Sequence, residues 1–65
     1  MTELESVERD IALLRARVRY SRLAIADPNI TPEAIDREHA GLDLFGRRLC
    51  ALLTLRDDLR FLAED

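Results

Sequence analysis

The chain has 65 residues, no tryptophan, one cysteine and a formal net charge of −3, and all ten of its basic residues are arginine. This size admits one domain (1–65) with a thin core; the lone Cys50 excludes an internal disulfide, and with one histidine, His39, leaves too few ligands for a structural zinc site. The acidic balance argues against nucleic acid or an anionic membrane as the main partner, and no apolar run approaches the roughly 18 residues of a membrane span. An acidic N-terminus without an apolar segment behind it reads as no signal peptide, which together with a free thiol predicts a cytoplasmic protein.

Thr2 and Glu5 have the spacing of a capping box, so a first helix is predicted over about 3–26. Glu3, Glu5 and Glu8 sit near the positive end of its dipole, and Arg17, Arg19 and Arg22 near the negative end. Leu4, Val7, Ile11, Leu14, Val18 and Ile25 follow 3-4 spacing interrupted by Ser21, which is a coiled-coil seam. A second set, Leu13, Ala16, Tyr20 and Leu23, falls nearly opposite that seam. Two readings stand for it: scattered surface residues, or a second contact face.

Asp27 to Glu33 holds both prolines. Pro28 disfavours the α region at Asp27 and stops the first helix near Ala26. Thr31 reads as the next N-cap with Pro32 at the first helical position, and Ile30 with Ile35 has the spacing of a hydrophobic staple. A connection this short predicts an antiparallel hairpin.

The second helix is predicted over about 32–63, with a main seam of Ile35, Leu42, Phe45, Leu49, Leu52 and Leu59 and an adjacent stripe of Leu44, Ala51, Leu55 and Leu62. Gly41 and Gly46 are unfavourable inside a helix, and either permit close helix approach or weaken the segment. At ~1.5 Å per residue the helices measure about 36 Å and 48 Å. With the reversal centred near Asn29, Leu14 is expected across from about Leu44 and Leu4 from about Thr54. The stretch from Arg56 then overhangs, leaving Leu59, Phe61 and Leu62 uncovered within the hairpin. The arginine end of the first helix is expected beside Glu33, Asp36, Glu38 and Asp43, and its acidic start beside Arg47, Arg48 and Arg56, which favours antiparallel pairing.

Reactive side chains are sparse. His39 reads as an exposed residue, and Cys50 as a small packed one. The carboxylates look like solvated helix faces; with so short a chain no enclosed pocket is expected, and neither an enzyme nor a cofactor site is predicted. Arg15, Arg17, Arg19 and Arg22 read as fanning around the helix rather than lining one face, which weakens the case for RNA.

The opening Met1, Thr2, Glu3, Leu4 and Glu5, the Pro32-Glu33 start of the second helix, and the closing Leu62, Ala63, Glu64 and Asp65 resemble the smallest cochaperones of type III secretion needle subunits. The likeness in helix-turn-helix layout covers the full chain. It implies a cytoplasmic hairpin bound to a larger tetratricopeptide-like helical-repeat chaperone, the pair shielding an aggregation-prone needle subunit. No functional residue carries over from it.

The expectation is therefore an all-α antiparallel hairpin, completed into a helical bundle by a partner or by itself. Its interaction residues are expected to be Leu13, Ala16, Tyr20, Leu23, Leu55, Leu59, Phe61 and Leu62. The first reading is a non-enzymatic cochaperone or adaptor. The alternative is a homodimeric four-helix bundle with a structural or regulatory role, including an RNA-binding version resembling the plasmid copy-control protein.

Overall fold

A computed structural model describes residues 2–64, with Glu64 described by its backbone alone. Met1 and Asp65, both part of the family likeness, lie outside the described residues. Helix α1 spans Glu3–Ile25 and helix α2 spans Pro32–Glu64, packed side by side in a rod 51 × 17 × 14 Å. The expected all-α hairpin is present, and both helices run within a residue of their predicted bounds.

Local chemistry sets the helix starts. The Thr2 hydroxyl accepts from the Glu5 backbone N–H at 3.1 Å and donates to the Glu5 carboxylate at 3.2 Å. This is a variant of the capping box, because Glu5 takes the hydroxyl proton rather than the cap's own N–H. At α2, Thr31 accepts from the Ala34 N–H at 3.2 Å, and Pro32 occupies the first helical position, where no N–H is needed.

The linker closes by its own hydrogen bonds. The Asp27 carboxylate accepts from the Asn29 N–H at 2.9 Å, and the Asp27 carbonyl accepts from the Ile30 N–H at 3.2 Å. With proline second in this four-residue turn and no positive φ among the described residues, the turn belongs to the type I family. Ile30 and Ile35, the staple pair, are both half-buried.

The two seams pack as the spacing predicts. Along α1, Leu4, Val7, Ile11, Leu14, Val18, Ser21 and Ile25 are all buried or half-buried. The deepest are Val7, 6% exposed, Ile11 at 3% and Ser21 at 4%. Along α2 the half-buried residues Ile35, Glu38, Leu42, Phe45, Leu49, Leu52, Arg56 and Leu59 form an unbroken 3-4 alternation, with Ala34, Gly41, Gly46 and Leu53 half-buried beside it. Two of these, Glu38 and Arg56, are charged.

The register differs from the expected one. A reversal centred on Asn29 would set Glu8 opposite Cys50, yet Glu8 accepts a 2.7 Å bond from Arg60, ten residues further along. Ten residues of helix are ~15 Å. Side chains lean toward their own helix N-termini, so the two antiparallel arms reach toward each other and cover part of this. The rest is displacement of the pairing toward the C-terminal end of α2. The linker allows this, because residues 26–31 separate the two helices and include the Asp27–Ile30 turn, so the reversal need not fall at one point. Leu59 therefore lies half-buried beside the start of α1 and is not part of an uncovered tail.

The displacement also alters the charge pairing. Among the described residues no ion pair joins the arginine end of α1 to Glu33, Asp36, Glu38 or Asp43. Asp43 instead accepts from Arg47 of its own helix at 2.6 Å. The bridge between helices is Arg60 to Glu8, and its basic partner is none of the three residues expected there. No described helix is long and apolar enough to cross a membrane.

Candidate functional site

Among the described residues seven large apolar side chains stand exposed: Leu13, Tyr20, Leu23, Leu44, Leu55, Phe61 and Leu62. Tyr20 is the most open of them at 71% and Leu55 the least at 39%. Ala16 is exposed as well. Seven of the eight residues expected at an interaction surface are thus on the surface, and Leu59 is the exception. Leu44 was legible only as part of the stripe on α2.

The structure brings some of these residues together. Leu13, Leu14, Ala16, Arg17 and Tyr20 line one shallow depression on α1. Across from it the Arg17 guanidinium lies 5.7 Å from the centre of the Phe45 ring, within cation–π range. Leu44, Leu55 and Leu62 recur at spacings of eleven and seven on α2, which places them along one side of that helix. Phe61 lies off that stripe, and neither it nor Leu62 joins the depression on α1.

A second surface is polar. Arg15, Arg19 and Arg22 are spaced four and three apart and line the same groove beside Val18 and Leu49. They form one stripe, and only Arg17 points elsewhere; the expected fan around the helix does not occur. Arg15 and Arg19 continue into an adjoining groove of about 390 Å³, floored by Ile11 and Ala12 and bordered by Glu8 and, from α2, Arg56. The Arg56 Nε is buried without a hydrogen-bond partner; the Asp57 carboxylate lies 3.5 Å away, and the pair does not form a hydrogen bond.

The sequence carried two signals for this groove. Arginines at 15, 19 and 22 have the spacing of one helix face, and Arg56 fills the gap between Leu52 and Leu59 in the seam of α2. Arg17, on the opposite face, masks the first signal, and the charge of Arg56 in an otherwise apolar seam masks the second.

The remaining reactive groups are simply placed. His39 is exposed. Cys50 is a free, exposed thiol rather than a packed one, because the seam turns toward Leu49 and away from it. The Thr54 hydroxyl donates to the Cys50 carbonyl at 3.1 Å, a bond inside the helix. Gly46 has open space where a side chain would sit, and a Cβ on Gly41 would meet the Phe45 ring at an ordinary 3.5 Å. Neither glycine marks a close approach of the two helices.

Comparison with protein-family models, with curated proteins and with solved structures returned no match.

Proposed function

We propose that this chain is a non-enzymatic, cytoplasmic interaction module that completes its core against another protein. One observation carries the proposal: Val7 and Ile11 are the buried apolar residues among those described, while seven large apolar side chains remain on the surface. A hairpin with so little interior is marginal alone, and a partner helix laid over Leu13, Tyr20 and Leu23, or over Leu44 and Leu55, supplies the missing burial. The resemblance to needle-subunit cochaperones extends this reading to a larger helical-repeat chaperone as the partner and a shielded secretion subunit as the cargo.

A second reading has its own support. Apolar rows lie on both helices, Leu13 to Leu23 on α1 and Leu44 to Leu62 on α2, so each hairpin offers what an isologous four-helix bundle requires.

Sedimentation of the purified chain, with melting at several concentrations, separates the two. The heteromeric reading expects a monomer that melts broadly and independently of concentration. A sharply melting homodimer that Tyr20→Glu dissociates replaces it with the second reading. A sharply melting monomer, unaffected by Tyr20→Glu and Phe61→Glu, removes both.

A further inference from the structure

We propose that the groove between Arg15, Arg19 and Arg56 is a binding site for a compact phosphate-type oxyanion, of about the size of pyrophosphate. This site does not depend on the protein partner proposed above.

The first argument is charge. Three arginines from two helices line the groove, and two carboxylates lie near them. Glu8 is engaged by Arg60 at 2.7 Å. Asp57, outside the groove lining, forms an ion pair with the Arg56 Nε at 3.5 Å, so the unpaired charge in the groove is that of Arg15 and Arg19. Among the described residues Arg15 and Arg19 have no ion-pair partner, and they sit one turn apart, where like charges repel. An anion between them relieves that repulsion.

The second argument is donor geometry. A guanidinium presents its N–H groups as a rigid planar fork that matches phosphate oxygens two at a time. Arg15 and Arg19 line the groove from α1 and Arg56 lines it from the facing helix, so arginines border it on two sides. The Arg56 Nε is buried and lies 3.5 Å from the Asp57 carboxylate, so the donors Arg56 can offer an anion are its terminal N–H groups.

The third argument is size. Ala12 and Ala16 are small and leave the groove open, at about 390 Å³, near the lower end of ligand-site volumes. The chain as a whole carries −3, which opposes a long polyanion such as RNA while leaving a local excess of positive charge.

Isothermal titration of inorganic pyrophosphate into the full chain at constant ionic strength tests the site. The expected result is saturable binding at one anion per chain, weakened about tenfold by Arg19→Gln or by Arg15→Gln. Both residues are exposed, so helix content by circular dichroism is expected to stay unchanged. Arg37→Gln, at an exposed position outside the groove, is expected to bind as the parent does. Absence of saturable binding overturns the proposal, as does an equal loss in Arg37→Gln. Two further arms titrate a short single-stranded RNA and a glutamate-rich peptide; tighter binding of either than of pyrophosphate also overturns it.

Discussion

The two ends of this hairpin are held by different physics. At the linker end the restraints are local: an Asp27 side chain bonded two residues ahead, a type I turn and a Thr31 cap, with Ile25, Ile30 and Ile35 only half-buried around them. At the open end the restraints are tertiary. Val7 and Ile11 are buried there, Leu59 covers the start of α1, and Arg60 ties to Glu8 across 52 residues of chain. Local bonds fix where the chain turns. Burial at the far end fixes how the two helices line up.

The largest expected effect tests the open end. Ile11→Ala removes one of the two deepest apolar side chains and is expected to destabilise the fold by about 2–4 kcal/mol, measured by urea unfolding at fixed protein concentration. A loss below about 1 kcal/mol would mean that this end collapses easily and does not set the alignment.

Thr31→Ala tests the linker end. Loss of the cap is expected to cost about 1 kcal/mol. A cost as large as that of Ile11→Ala would erase the contrast between the ends. The stretch between them is probed by Gly46→Ala, which fills open space in a helix interior. It is expected to stabilise by about 0.5–1 kcal/mol, read as a rise in Tm. A fall instead would show close packing against Gly46. The smallest effect belongs to Glu8→Gln. Both partners of the bridge are substantially exposed, so the loss is expected within about 0.2–1 kcal/mol and to shrink as salt is added.

How much of this was legible in the sequence follows the same division. Both caps, the staple and the proline stop were legible because each depends on residues a few positions apart. The seams were legible because heptad spacing over Leu4 to Ile25 and Ile35 to Leu59 has one geometric meaning. The exposed row of Leu13, Ala16, Tyr20 and Leu23 followed from the same periodicity. The register was not legible, since it depends on how far the linker rises along the rod, and no residue in Asp27 to Thr31 encodes that length by type. Leu59 was misplaced for this reason alone. The arginine groove was missed because it needs that same register and, in addition, a charged residue inside the α2 seam.

That charged residue has a consequence for folding. The seam of α2 repeats so regularly that α1 can slide along it by seven residues and still meet apolar side chains at most positions. Two seam positions break the repetition, Glu38 and Arg56. In the observed alignment Arg56 opens toward the groove beside Ile11 and Ala12. Sliding by one heptad in one direction moves it into the place of Leu49, beside Val18, and takes Arg60 away from Glu8. Sliding the other way moves Leu49 into the place of Arg56 and again breaks the bridge to Glu8. Each misaligned hairpin therefore loses an ion pair and displaces a charge, a penalty the correct one avoids. Arg56 and the Arg60–Glu8 bridge therefore favour the observed alignment over its two neighbours, while burial at the open end supplies most of its stability.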